Sequence, residues 1–373
     1  MCATGSASAR SSETALAKPV AHSAPSLNQR DLNAVGHNLL KRGLQVGDDC
    51  PLLVGAVKKG LLPAEKRALA DIVTISTHTL EGSKPGPHLL VTGGVHGDEF
   101  EPMLAIRRLM HTIDSVHLSG RVTLAPVVNE SAFARGRRTG DDDLDLARTC
   151  PGHPDGSITE RTAHALTQLI RAADLYIDLH TGGAAMEILP MAGYTLHPDA
   201  AILETQRRMA MAFNLPVVWG TTPELEGRSL SVARDAGVPA IYAEYGGPPP
   251  CNLAAVENYV AGCLNVMGAI GMIDRPTPPS RVEHVVEDPR PESGHMQRCN
   301  LSPADGFFEP TVKLGETVTT GEPLGWLVPD PLGKNRVPIR SAQTGIVLVL
   351  RVFSSVRKGD ALAVILELDR EQQ

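Results

Sequence analysis

Two short, glycine-flanked segments hold the residues best suited to chemistry: Gly93-Gly-Val-His96-Gly-Asp98-Glu99 and Asp178-Leu-His180-Thr-Gly-Gly. Each follows an apolar run that reads as a buried strand, His88-Leu-Leu-Val-Thr in the first case and Leu175-Tyr-Ile in the second. In open α/β sheets, binding crevices lie at the carboxyl ends of strands, so His96, Glu99 and His180 are placed to converge although far apart in the chain. Two imidazoles and one carboxylate, with a fourth position left to water, make a catalytic zinc set, one ion per chain. Asp98 and Glu101 stay open as alternatives to Glu99 for the oxygen ligand. The neighbouring glycines let the backbone bend so that short side chains can point at one ion.

The elements that would position these residues follow an alternating grammar. After the strand at His88 comes a helix over Phe100–Met110, with Pro102 in its first turn. Further strands are expected at 121–128, Leu175–His180, Pro216–Trp219 and Val238–Glu244, with helices at Thr159–Ala173, Gln206–Phe213 and Leu253–Ile273 between and after them. An earlier helix is expected over Pro63–Ile72. Strands alternating with helices predict an α/β fold whose sheet is covered on both faces.

Asp274–Pro291 is rich in Pro, Arg and Glu and reads as a boundary or linker. Beyond it, short β-like runs separated by glycine turns predict a small all-β domain. Val312-Lys-Leu-Gly-Glu-Thr-Val and Val356-Arg-Lys-Gly-Asp-Ala-Leu look like halves of one repeat, as in barrel-sandwich domains, though without an obvious carrier lysine. The expected organisation is a flexible tail over residues 1–30, a hydrolase domain over 31–280 and a β domain over 281–373.

Composition narrows the function classes. The chain has 373 residues, 42% of them hydrophobic and 21% charged, which suits an ordered globular protein of more than one domain. A net charge of -7 argues against nucleic acid or an anionic membrane as the main partner. No run approaches the ~20 apolar residues of a membrane span, and the Ser/Ala-rich start lacks the apolar stretch of a secretory signal. Six scattered cysteines without C-x-x-C pairs fit reduced thiols in a cytoplasmic protein. The P-loop, the Rossmann glycine fingerprint, the G-x-S-x-G elbow and H-E-x-x-H are all missing from the sequence. NTPase, Rossmann dehydrogenase and α/β-hydrolase readings lose support.

Six motifs in order give a closer likeness. These are Gly93–Glu99; Asn129–Phe133 as N-x-x-A-F; Arg138 five residues on; Asp143–Gly152 as D-L-x-L-x-R-x-x-P-G; Asp178–Gly182 as D-L-H-T-G; and Ala233–Gly247 as A-x-x-x-G-x-P-A followed by E-x-G-G. The chain resembles the succinylglutamate desuccinylase/aspartoacylase family of zinc amidohydrolases, relatives of the zinc carboxypeptidases, over most of residues 85–368. The resemblance implies a zinc-carboxypeptidase-like mixed sheet flanked by helices, with a C-terminal β domain beside the active-site mouth. It implies His96, Glu99 and His180 as zinc ligands, Glu244 as general base and acid, and Arg138 as the group polarising the scissile carbonyl. Arg148, Asp145 and Asn129 would then meet the substrate.

Physical chemistry fits those roles. Zinc acidifies water, a carboxylate can carry its proton to a leaving amine, and an arginine can stabilise the developing oxyanion.

One departure bears on the substrate. Where the family commonly has N-L-N-R, this chain has Asp145-Leu-Ala147-Arg148. Arg148 can still pair with a carboxylate, but Ala147 offers it no second donor, so an amine-bearing, amidated or ester substrate becomes credible. The expected function is hydrolysis of an amide in a small N-acyl amino acid or related N-acyl amine. The alternatives are a zinc carboxypeptidase or esterase, and a ligand-binding relic without catalysis. The partner expected is a small molecule, with homo-oligomerisation open.

Overall fold

The computed structural model describes residues 73–291, 293–296 and 299–368. The helix expected over Pro63–Ile72 and the tail over residues 1–30 lie outside them. Four neighbouring strands run parallel at the centre of a mixed sheet: β3 (Ser119–Ala125), β2 (Lys84–Thr92), β4 (Leu175–His180) and β7 (Ala240–Gly246), with β1 (His78–Glu81) antiparallel on the outer edge of β3. Strands buried on both faces read as continuous apolar runs rather than alternating ones, as in Leu89-Leu90-Val91 and Tyr176-Ile177.

One face of the sheet packs through Leu89, Val91, Ile177 and Ile241 against α1 (Phe100–Thr112), α4 (Ala200–Phe213) and α6 (Leu253–Ala269). The other packs through Leu90, Tyr176 and Ala240 against α3 (Ile158–Arg171) and α5 (Ser229–Ala236). The start of α3 is fixed by a capping box between Ser157 and Glu160. A short helix, α2 (Glu130–Arg135), follows β3.

Beyond β7 the sheet forks. β5 (Met186–Thr195) lies antiparallel to β7. Its first residues pair with β13 (Gly345–Arg351), and its last five pair with β6 (Val217–Thr221). The expected strand set lacked β5, because Pro190 and Gly193 interrupt its apolar pattern. Pro190 falls at the register shift between Ile188 and Met191, where a strand can do without an amide donor. β8 (His284–Glu287), inside the segment expected as a linker, pairs parallel with β6 and buries only Val286. It lies past the expected boundary at residue 280 yet belongs to the central sheet.

The extra strands near the C-terminus form a second layer. β9 (Gly306–Pro310), β11 (Pro323–Val328), β12 (Val337–Arg340) and β14 (Ser355–Val356) make a four-stranded antiparallel sheet. It shares a core with β10 (Thr317–Val318), β13 and β15 (Ala363–Leu366), built from Phe308, Leu324, Leu327, Val347, Leu362 and Ile365. The two repeat halves behave alike. Val312 and Val318 of one and Val356 and Leu362 of the other enter that core, and their glycines, Gly315 and Gly359, have φ of 76° and 89°. No helix among the described residues is long and apolar enough to cross a membrane.

Candidate functional site

His96 and Glu99 lie just past the end of β2, and His180 is the last residue of the adjacent β4. Glu99 immediately precedes α1, so its carboxylate sits at the positive end of that helix. The loop carrying it presses on α2 at Gly97, where a Cβ would lie 2.0 Å from the carbonyl carbon of Ala132. His96 Nδ1 is 2.6 Å from Glu99 Oε1, and His180 Nδ1 is 3.0 Å from Glu99 Oε2. One atom from each residue lies within 4.8 Å of the others. The alternative oxygen donors are engaged elsewhere: Glu101 accepts from the Asn252 amide at 2.7 Å and Asp98 from the Ala184 amide at 3.2 Å.

The outward nitrogens are also occupied. His96 Nε2 meets Asp145 Oδ1 at 3.0 Å and His180 Nε2 meets Asp178 Oδ2 at 3.1 Å. Asp178 is itself held by the hydroxyls of Thr92 and Ser229. Each imidazole therefore faces carboxylate oxygen at both nitrogens, and a neutral ring can donate to only one of them. A cation shared by the two Nδ1 atoms and Glu99 satisfies the rest, and carboxylates behind ligating histidines are the usual support of such a site.

Without a metal the same contacts act as ion pairs: burial opposes a charge on His180, but Asp178 and Glu99 raise its imidazole well above the usual range. Burial alone would raise the Glu99 carboxyl, but His96 and His180 outweigh it and hold the group well below the usual carboxylate range. Burial likewise opposes the charge on Asp145, and the bond from His96 with the guanidinium of Arg138 overcomes it.

Glu244 stands beside His180 in the β4–β7 register. It is 8% exposed, and its Oε2 has no hydrogen-bond partner among the described residues. Burial pushes its carboxyl up to about 8, with His180 opposing and Glu99 reinforcing the rise. Arg138 binds Asp145 Oδ2 through Nη2 at 3.0 Å and Nε at 3.2 Å, and its Nη1 lies 3.4 Å from His96 Nδ1. Its sequence neighbours do not compete: Arg137 is exposed and Arg135 pairs with Asp143 at 3.3 Å.

All of this opens on one cavity of about 450 Å³. His96, Glu99, His180, Glu244, Arg138 and Arg148 line it, and Val349, Arg351 and Asp360 contribute a wall from the C-terminal strands. Two residues expected at the substrate are placed elsewhere. Asp145 is taken up by His96 and Arg138, and Asn129 caps α2, its Oδ1 accepting from the Ala132 amide at 3.1 Å. Neither lines the cavity. Asp142, in the acidic turn, bonds both the amide and the hydroxyl of Thr159 at the start of α3.

The sequence reading missed Arg228, the residue before α5. It lines the cavity, and its Nη2 bonds the Gly294 carbonyl at 3.2 Å. No carboxylate of a described residue lies within ion-pair distance of it. Burial and the nearby charge of Arg148 bring it down to about 10. A single arginine ahead of a helix carries no spacing signal that separates it from a solvated one.

The support of His96 is testable. Asp145→Asn should weaken metal retention by about 10- to 100-fold in a chelator competition, because the ring loses the carboxylate that orients it. Unchanged retention would show that Asp145 serves Arg138 and the Ala147 amide but not the metal ligand.

Comparison with known proteins gives the class. The profile of the succinylglutamate desuccinylase/aspartoacylase catalytic domain matches residues 85–270. An N-alpha-acetyl-L-2,4-diaminobutyric acid deacetylase of Halomonas elongata is 33% identical over 296 residues, covering 76% of this chain and 83% of that protein. The crystal structure of a succinylglutamate desuccinylase/aspartoacylase from Rhodobacter sphaeroides superposes with a TM-score of 0.71 at 29% identity, over 80% of this chain and 90% of that one. The product-bound structure of the ectoine utilization protein EutE from Ruegeria pomeroyi gives 0.70 at 28% identity, over 79% and 89%. The chain belongs to the succinylglutamate desuccinylase/aspartoacylase family and is a hydrolase of the deacylase kind.

Proposed function

We propose that this protein is a zinc-dependent deacylase that releases the acyl group from a small N-acylated amino acid bearing a second, free amine. The observation that carries the reading is the His96–Glu99–His180 cluster facing the buried Glu244 carboxylate across one cavity. When bound there, zinc supplies Lewis-acid activation of water near neutral pH. Glu244 accepts the proton of the attacking water and returns it to the leaving nitrogen, a role suited to a carboxyl raised by burial. Arg138, held by Asp145 beside the cluster, stabilises negative charge on the scissile carbonyl oxygen.

The substrate class rests on three supports. One relative is named for an acetylated diamino acid. Arg148 and Arg228 line the cavity with positive charge for a carboxylate, while Asp98, whose Oδ1 is buried with no partner among the described residues, offers a carboxylate for an ammonium group. The missing donor at Ala147 separates the site from the usual N-L-N-R clamp. Cys150, Cys251 and Cys263 are free thiols, in keeping with a cytoplasmic enzyme. The reading keeps a catalytic α/β domain with a C-terminal β domain walling its mouth.

The test is kcat/KM on zinc-loaded enzyme for an acetylated diamino acid, N-acetylaspartate, N-succinylglutamate, a dipeptide and an acetyl ester. The acetylated diamino acid should exceed the others by at least about tenfold, the size of one good polar contact. Faster turnover of the peptide or the ester would favour a carboxypeptidase or esterase. Binding without turnover of any of them would favour a ligand-binding protein.

A further inference from the structure

β7 places Tyr242 two residues before Glu244, opposite Asp178 of β4. Residues two apart on a strand share a face about 7 Å apart, so the phenol and the proposed base look into the same cavity, which Tyr242 also lines. The ring is laid across β5 at its register partner, Gly193. A Cβ there would come within 2.3 Å of the ring carbon bearing the hydroxyl and 2.5 Å of the hydroxyl oxygen itself. Glycine at 193 is therefore what lets the ring lie flat and fixes where its hydroxyl ends. That hydroxyl finds no hydrogen-bond partner among the described residues, although the ring is packed against both neighbouring apolar clusters. Burial, with Glu244 adding and Arg228 opposing, holds the phenol above its ordinary range, so it stays a donor at any working pH. Arg228, a partly buried cation with no carboxylate of a described residue within ion-pair distance, lines the same cavity, and its charge acts on the phenol.

We propose that Tyr242 is a specificity-determining residue, its hydroxyl donating to the substrate carboxylate held by Arg228 and so supplying the neutral donor that Ala147 denies to Arg148. This rests on the deacylase reading of the same cavity. Aromatic filling over a glycine would account for the ring by itself. It does not account for a hydroxyl with no partner among the described residues lining the same cavity as a guanidinium that no described carboxylate pairs.

The experiment compares an acetylated diamino acid with its carboxamide analogue on the zinc-loaded, full-length protein, reading the ratio of kcat/KM for acid over amide. Wild type should prefer the acid. Tyr242→Phe should lower that ratio by about 10- to 100-fold, the worth of a hydrogen bond to a charged group. Gly193→Ala, which keeps the phenol but displaces it, should lower the same ratio. A ratio unchanged in Tyr242→Phe, whatever the absolute rates, overturns the proposal while leaving the deacylase reading intact. A wild-type ratio near one, or no turnover of either compound, removes the carboxylate recognition on which it rests. Calorimetric binding of the free diamino acid against its amide, to wild type and Tyr242→Phe, makes the same comparison without turnover.

Discussion

Glu244→Gln should cut kcat by about 10²- to 10⁴-fold, the usual range for a lost general base, and leave the metal in place. Glutamine fills the same volume but cannot accept a proton. Its position in the β4–β7 register puts it beside His180 but outside the cluster: Oε2 has no partner among the described residues, and Glu99, not Glu244, bridges the two imidazoles. Kinetics and elemental analysis of the same preparation check this, and metal loss as deep as in a histidine mutant would contradict the division of roles.

The same substitution should stabilise the metal-free protein, and its pH dependence is the sharper signature. The carboxyl is raised from 4.5 in the unfolded chain to about 8 in the folded one, so folding favours its protonated form. Below the unfolded value both states are protonated and the glutamate costs nothing. As pH rises toward the folded value the penalty grows, and above it the penalty is level. Urea unfolding of chelated protein should therefore show Glu244→Gln close to wild type near the acid end and more stable by a few kcal/mol near pH 9. An advantage of equal size at every pH would mean that something other than charge burial had been relieved. A side chain that destabilises the fold where it supports turnover is the usual bargain of a functional site.

How much of this was legible in the sequence depended on where each residue's partners lie. The convergence of His96, Glu99 and His180 could be read because all three sit at strand ends beside glycines, and the strands leading to them, β2 and β4, are buried apolar runs. β5 could not, because Pro190 and Gly193 break its pattern, and those breaks are what the fork in the sheet and the ring of Tyr242 require. Asp145 and Asn129 illustrate a different limit. Their positions within motifs suggested substrate contact, whereas the chain folds one onto His96, 49 residues away, and the other onto the start of its own helix. Arg228 shows no pattern at all in one dimension. Only the cavity, with Arg148 also lining it and no carboxylate of a described residue to meet it, marks it out.

His96→Ala and His180→Ala should each lose metal and activity together, the largest effect expected of any substitution here. Each removes one of the three proposed ligands and leaves its outer carboxylate, Asp145 or Asp178, without the imidazole it faced. Wild type should purify with, or take up on addition, about one zinc per chain, and either mutant close to none. Heat or urea unfolding provides a readout independent of catalysis. Free zinc at 1,000 times its dissociation constant should stabilise wild type by about 4 kcal/mol and leave the alanine mutants unmoved. Glu244→Gln should be stabilised by zinc as wild type is, despite its lost turnover. That contrast separates the group that holds the ion from the group that moves the proton, because only the former changes the free energy of the resting protein with zinc. If wild type neither retains zinc nor gains stability when zinc is restored, the His–Glu–His cluster is an ion-paired core rather than a metal centre, and the deacylase mechanism built on it falls.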